Sequence, residues 1–264
     1  MKVELNVGKS AILYLHPNAI KPDQIELKID LESVKVPTEI EDCANLKWKT
    51  TMLKSPKAFN GPLVSLLSVN YDGKKLLVTG QPTDYKTYSY LRNQPDYQLF
   101  QYRIAVMGTS CVLLTSDNKI ILATRGENLS GEGNILSIPG GLLTSTQKSF
   151  TENIWSELEE ELDVEKKDVT SLAFHGIGYD SVHAKGAEFL FSIKTKLTAV
   201  DVIDAHIRAK DRHEATKLFA IDESELSNYV RTNRKRIMLG SLANIIAYMH
   251  HKGVRNALEL ERAT

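Results

Sequence analysis

The sequence predicts an α+β fold built around a mixed β-sheet, from three observations. Apolar and polar residues alternate from Ile25 to Leu31, as they do in a half-buried strand. The segment Ile104 to Leu114 is largely apolar and is typical of a buried strand. From Phe150 to Leu162 an apolar residue recurs at every fourth position, which predicts an amphipathic helix. Strands with interspersed helices indicate the α+β class.

The remaining pattern predicts two domains. Residues 83–102 are polar and rich in tyrosine, without a clear period, so we place a boundary near residue 95. Residues 1–95 are then a smaller α+β domain, and residues 96–264 form the larger one. Further elements are predicted at 39–53 (helix), 63–69, 75–78, 119–124, 135–138, 170–177, 187–195 and 217–221 (strands), and 236–251 (helix).

Charge and composition narrow the possible ligands. The chain has 264 residues, with 33 basic and 33 acidic side chains, so its formal net charge is zero. A protein that binds the nucleic-acid backbone usually carries a basic excess, so we expect a small charged ligand and no nucleic-acid partner. The longest apolar run, Ile104 to Leu114, is well short of the roughly 20 residues that a membrane helix needs. A soluble, cytoplasmic protein without a membrane partner is expected.

Acidic side chains cluster along the predicted helix. Residues three and four positions apart are neighbours on a helix, so Glu157, Glu160 and Glu161 converge on one edge, while Glu159 points elsewhere. Carboxylates this close repel one another unless a cation neutralises them, and Mg²⁺ or Mn²⁺ prefers such oxygen ligands. The alternative is an acidic face that is simply solvated, which is common on helices.

Four segments, taken in order and spacing, resemble the Nudix hydrolases. The segments are Ile120 to Arg125, Ile138 to Gly141, Ser156 to Val164, and His213-Glu214 with the strand Lys217 to Ile221. The resemblance covers roughly residues 100 to 252. It implies a Nudix-type α/β/α sandwich with a mixed sheet, and hydrolysis of a nucleoside diphosphate linked to another group.

The resemblance also implies roles for individual carboxylates. Glu157, Glu160 and Glu161 occupy the positions of the family's metal ligands and would hold Mg²⁺ or Mn²⁺. One carboxylate must accept a proton from the attacking water. Glu214 is the first candidate for that base, and Glu160 or Glu161 is the next.

Three further residues are candidates for binding the substrate. Backbone N–H groups around Gly140 and Gly141, close to the start of the helix, suit an anion. The planar guanidinium of Arg125 suits a phosphate, although an ion pair at the end of a strand explains this arginine equally well.

The chain departs from the family pattern at several positions. Ser156 stands where the family has Arg, and Asp163 stands where it has Gly. The family's early Glu falls on Gln147 or Lys148, and Glu152 is a candidate replacement. These departures leave two hypotheses open: a metal-dependent hydrolase, or a catalytically weak or inactive Nudix-like module that binds a nucleotide and regulates.

The front of the chain is similar to a Nudix subgroup that includes UDP-glucose and UDP-galactose pyrophosphatases. The similarity rests on Ile40 to Trp48, Ala58 to Gly61 and Thr83 to Lys86. It favours a nucleotide-sugar as substrate, and the extra surface of this domain favours a homodimer. Elsewhere, His175 lies among apolar strand residues and is expected to be packed rather than catalytic.

Overall fold

The structure is a computed structural model that describes residues 2–6, 10–15, 20–55, 58–94, 104–126, 133–180 and 186–254. The predicted domain boundary near residue 95 and most of the Gly-rich segment 127–132 lie outside these ranges. The strands are β1 (Lys2–Asn6), β2 (Ser10–Leu15), β3 (Ile25–Ile29), β4 (Pro62–Tyr71), β5 (Leu76–Asp84), β6 (Met107–Leu114), β7 (Lys119–Arg125), β8 (Ile135–Ser137), β9 (Gly140–Leu142), β10 (Val169–Asp180), β11 (Ala187–Thr195) and β12 (Ala215–Asp222). The helices are α1 (Thr38–Lys54), α2 (Tyr85–Arg92), α3 (Phe150–Leu162), α4 (Ala199–His206), α5 (Leu226–Asn233) and α6 (Leu239–His251).

The main sheet is mixed. Within the described ranges its strand order is β1-β2-β10-β11-β6-β7-β12, with β8 added to β7 and β9 added to β6. The pairing of β11 with β6 is parallel, from Ala187 opposite Met107 to Lys194 opposite Leu114. Strands β10 and β11 are antiparallel, as are β7 and β12. The α+β class with a mixed sheet, predicted from the sequence, is confirmed.

Two hydrophobic layers cover the two faces of this sheet. On β6, Cys111 and Leu113 point to the layer that contains α3 and α4, whereas Val112 and Leu114 point to the layer that contains α5 and α6. This alternation follows from the period of two in a β-strand. The molecule is therefore an α/β/α sandwich, as the resemblance implied.

The front of the chain contributes to both sheets. Strand β2 pairs with β10, so the β1–β2 hairpin extends the main sheet. Strands β3, β5 and β4 form a separate three-stranded sheet, and Val64 and Val78 of that sheet are buried in the same core cluster as Met107. The division into domains 1–95 and 96–264 stays a prediction. The pairing of β2 with β10 and the burial of Val64 and Val78 with Met107 both join residues from the two predicted domains.

Several elements differ from the sequence-based expectations. The tyrosine-rich segment contains α2, which Asp84 caps by accepting a hydrogen bond from the Thr87 N–H at 2.7 Å. Helices α4 and α5 and the first hairpin were not predicted. The final helix begins at Leu239 rather than 236 because residues 234–236 form a 3₁₀ turn. In the ranges that the structure describes, every helix is too short or too polar to cross a membrane.

Candidate active site

Helix α3 places the acidic side chains, and the local sequence explains where it begins and ends. The Ser149 hydroxyl accepts a hydrogen bond from the Glu152 N–H at 3.1 Å, which satisfies a free backbone donor of the first turn. The predicted apolar stripe is confirmed, since all four of its side chains are at most 2% exposed. The Phe150 ring stacks on Phe189 of β11 at 3.9 Å between centroids and so fixes the helix on the sheet.

Two of the predicted metal ligands are the most buried carboxylates of the site. Glu161 is 6% exposed, and its Oε2 accepts a hydrogen bond from the Gly140 N–H at 2.9 Å. Burial, and then the nearby Glu157, raise the pKa of Glu161 well above its usual range. Burial, followed by the charges of Glu160 and other acidic neighbours, raises the pKa of Glu157 to about 7. Glu157 and Glu161 are therefore close enough to repel each other in a poorly solvated place.

The other two predicted carboxylates are paired with basic side chains. Lys210 Nζ donates to Glu160 Oε1 at 2.7 Å. Arg125 Nη1 donates to Glu214 Oε2 at 3.0 Å, so the last residue of β7 and the residue before β12 meet at the site. The ion-pair alternative for Arg125 is thus what the structure shows, and its partner is the candidate base. The charge of Glu214 also raises the pKa values of both Glu157 and Glu161, which places it near them.

The glycine pair lies in a short strand rather than in an open loop. Strand β9 pairs with β6, with Gly140 opposite Ser110 and Gly141 opposite Thr109. The Gly140 N–H is engaged by Glu161, and a Cβ atom on Gly141 would overlap the carboxylate of Glu157. The absence of a side chain at Gly141 therefore gives Glu157 its place.

A buried asparagine holds this strand against the helix. Asn153, fully buried one turn before Glu157, donates through Nδ2 to Thr109 Oγ1 at 2.7 Å and to the Gly141 carbonyl at 3.2 Å. Sequence reasoning missed Asn153. A signal was available, because position 153 lies four residues before Glu157 and hence on the same helix face.

The donor set fits a hard divalent cation in its chemistry. All four candidates offer carboxylate oxygens, the ligands that Mg²⁺ and Mn²⁺ prefer. Burial, and then the charge of neighbouring carboxylates, raises the pKa values of Glu157 and Glu161, and a bound cation would lower them. Among the described residues, however, no three acidic, histidine or cysteine side chains are arranged to hold an ion as they stand. Lys210 engages one of the two Glu160 oxygens, Oε1, and the Gly140 N–H engages one of the two Glu161 oxygens, Oε2. These contacts compete with a cation for the same carboxylates.

Comparison with known proteins gives a likeness of fold only. No family model and no curated protein matches the chain. Among solved structures, DR0079 from Deinococcus radiodurans is 16% identical with a TM-score of 0.43 and covers 69% of this chain and 96% of its own. A NUDIX hydrolase from Nitrosomonas europaea is 16% identical with a TM-score of 0.41 and covers 56% and 89%. The NUDIX domain of Shewanella oneidensis NrtR, solved with ADP ribose, is 16% identical with a TM-score of 0.38 and covers 62% and 97%.

These similarities are too low to carry an argument about activity.

The departures from the family pattern have specific places in the structure. Ser156 is exposed, away from the buried carboxylates. Asp163 ends α3 in the left-handed region, with φ 53°, where glycine carries no steric cost and Asp is among the better tolerated residues. The carboxylate of Glu152 accepts from the Lys148 N–H at 2.6 Å and so stabilises the start of the helix. Glu159 is exposed, as expected.

The end of α4 and the segment that follows it complete the rim of the site. His206 lies between two carbonyl oxygens, with Nδ1 2.6 Å from Glu161 O and Nε2 3.2 Å from Ala215 O. It thus connects the end of α3 to the start of β12, immediately after Glu214. Sequence reasoning missed both His206 and Lys210, because their proximity to the glutamates depends on tertiary packing and not on spacing along the chain.

Proposed function

We propose that the chain is a divalent-metal-dependent hydrolase of a nucleoside diphosphate linked to another moiety. The observation that carries the proposal is the convergence of the half-buried Glu157 and the buried Glu161 beside the Arg125–Glu214 pair. Burying carboxylates next to one another is unfavourable unless the site binds a positive charge. The kept glutamates of the Nudix-like segment support the same proposal.

Glu157, Glu160 and Glu161 would hold Mg²⁺ or Mn²⁺. A divalent ion bound there supplies charge neutralisation for the diphosphate and orientation of the attacking water. The first candidate to accept the proton of that water is Glu214, and Glu160 or Glu161 is next. Glu214 is suited to this because its side chain is 38% exposed and reaches solvent, while Arg125 fixes its position.

Arg125 and the glycine pair would contact the substrate. The Arg125 guanidinium has further N–H donors besides the one used by Glu214, and these suit phosphate oxygens. Gly140 and Gly141 bring the backbone close to the carboxylates. A nucleotide-sugar is the proposed substrate class, on the similarity of the front segments to the UDP-sugar subgroup. The homodimer and the cytoplasmic location stay predictions.

The decisive experiment measures product formation from a substrate panel. The panel contains nucleoside diphosphate sugars, ADP-ribose, NAD and dinucleoside polyphosphates, each with Mg²⁺ or Mn²⁺, and phosphate release is coupled to a phosphatase. We expect cleavage of one class by the wild-type chain and a loss of at least about 100-fold in Glu161→Gln, since a metal ligand contributes more than the partners around it. Glu159→Gln is the matched control, because Glu159 is on the same helix but exposed, and it should retain activity.

Other outcomes separate the two hypotheses. Equal loss in both variants would show that charge on α3, rather than this site, matters. No cleavage with either metal, together with metal-dependent binding of a panel member, would favour the nucleotide-binding module. The pairing of Glu160 with Lys210 favours this second function, because the lysine engages a carboxylate oxygen of a proposed metal ligand.

A further inference from the structure

The segment 207–214 is docked on the end of helix α3. The Asp211 N–H donates to the Glu160 carbonyl at 2.8 Å. Two residues before Lys210, Arg208 Nε donates to Asp163 Oδ2 at 2.8 Å. These contacts hold the backbone on both sides of Lys210 next to α3 and so keep its side chain close to Glu160.

Lys210 occupies a carboxylate that the proposed metal needs. Its Nζ lies 2.7 Å from Glu160 Oε1, and its charge also acts on Glu157, whose pKa it lowers. The side chain of Lys210 is 70% exposed and that of Glu160 is 37% exposed. An ion pair this open to solvent is weak and exchanges readily. A divalent ion, which prefers several oxygen ligands at once, would compete with Lys210 for Glu160.

We propose that Lys210 is an internal counter-ion that is exchanged for the metal and then binds the substrate. In the metal-free chain its ammonium neutralises Glu160. When that contact breaks, Glu160 would be free to hold a divalent ion, and the released ammonium would contact the non-bridging oxygens of the diphosphate at the rim of the site. This inference rests on the proposed function, because it requires the metal site of α3.

The same arrangement occurs across the site. Arg125 pairs with Glu214 at 3.0 Å, so a second cation is held by a carboxylate with a proposed role in the reaction. Lys210 and Arg125 thus lie at two edges of the buried pair Glu157 and Glu161. A diphosphate brings more than one negative charge, and two cations at the rim match it better than one.

The first test measures Mn²⁺ binding without substrate, from the electron paramagnetic resonance signal of free Mn²⁺. Lys210→Gln removes the competing ammonium, so we expect the dissociation constant for Mn²⁺ to fall about two- to fivefold. Lys167→Gln is the matched control, since it removes the same charge from an exposed lysine that pairs with Glu165 and takes no part in docking the segment 207–214. Wild-type affinity in Lys210→Gln, or an equal change in the control, would overturn the exchange.

The second test measures substrate binding at saturating Mn²⁺ by calorimetry. The probe is a nucleoside diphosphate whose bridging oxygen is replaced by methylene, so that it is not hydrolysed. We expect its affinity to fall roughly tenfold in Lys210→Gln and to recover in Lys210→Arg, because a charged hydrogen bond to phosphate is lost and then restored. A fall that Lys210→Arg does not reverse, or no fall, would refute the substrate contact.

The two proposals fail in different ways. If the wild-type chain binds no Mn²⁺, the proposed function and the exchange both fail. If Mn²⁺ binds to the wild-type chain and is lost in Glu161→Gln, while Lys210→Gln binds it as the wild type does, only the exchange fails.

Discussion

The two faces of the main sheet both bury ionisable side chains, but in opposite ways. On the α3 face, Glu157 and Glu161 are crowded together near cations that can move, and their pKa values are raised. On the α6 face, His175 is 4% exposed and packs on His251 at 4.8 Å between ring centroids. Burial, and then His251, lower the pKa of His175 to about 3.

The difference separates a candidate reactive site from a packed side chain. Repulsion between two carboxylates is relieved by a bound cation, so the α3 face gains from a ligand. His175 is relieved by staying neutral, and neither of its ring nitrogens has a hydrogen-bond partner among the described atoms. The structure agrees with the sequence-based expectation that His175 is packed.

The largest expected effect is that the two faces respond to pH with opposite sign. Glu157 has a pKa of about 7 in the folded chain against 4.5 as a free side chain. Its contribution to the free energy of unfolding is therefore greatest below pH 4.5 and falls as the pH rises to 7. His175 has a pKa of about 3 against 6.5, so its contribution is present above pH 6.5 and falls as the pH drops towards 3. For each group, the free energy of unfolding changes by at most roughly 1.4 kcal/mol per pH unit.

Urea unfolding at pH 5, 6 and 7 in metal-free buffer measures both slopes. Glu157→Gln should remove the contribution that favours low pH, so acidification destabilises this variant more than the wild type. His175→Gln should remove the opposing contribution, so acidification destabilises it less. Parallel pH profiles in the two variants would break the comparison between the faces.

A smaller effect is expected at the glycine that gives Glu157 its place. Gly141→Ala puts a Cβ atom where the Glu157 carboxylate lies, and this flexible side chain can rotate away. We therefore expect a folded chain with Mn²⁺ affinity reduced about tenfold, as for loss of support around a ligand. Gly186→Ala is the control, because its Cβ atom would meet only ordinary contacts and the metal affinity should not change. Wild-type Mn²⁺ affinity in Gly141→Ala would show that Glu157 does not need this position.

The smallest effect is expected at the end of α3. Asp163→Gly relieves a left-handed backbone conformation but removes the exposed pair with Arg208. We expect the free energy of unfolding to rise by up to about 1 kcal/mol, measured in urea. A drop in stability would show that the pair with Arg208 outweighs the backbone strain.

The sequence predicted what depends on short-range periodicity. Helix α3 was predicted from Phe150 to Leu162 because one face of the helix is buried. Strand β11 was predicted from 187 to 195 because most of its residues form an apolar, buried run. The capping signal of α4 was present but unused, since Thr198 and Asp201 form a capping box. The spacing of Glu157, Glu160 and Glu161 on one helix was enough to predict that they lie near one another, and their role as metal ligands stays a prediction.

The rest depended on contacts between distant segments. Strand β9 contains two glycines and forms through pairing with β6, which no local pattern reports. Asn153 is buried because Thr109 lies opposite it, 44 residues away along the chain. Lys210 and His206 contact α3 through tertiary packing. Lys210 lies in a polar loop and His206 is the last residue of α4, and neither local sequence indicates the contact with α3.

The pairing of β2 with β10 has a consequence for folding during synthesis. Leu15 is paired with Gly176, so the first hairpin has no partner until more than 160 further residues have been made. Domains at the start of a chain usually fold first as they leave the ribosome. Here β1 and β2 are made well before β10, and an edge of β2 that stays unpaired in the meantime is a place where a second chain can pair instead.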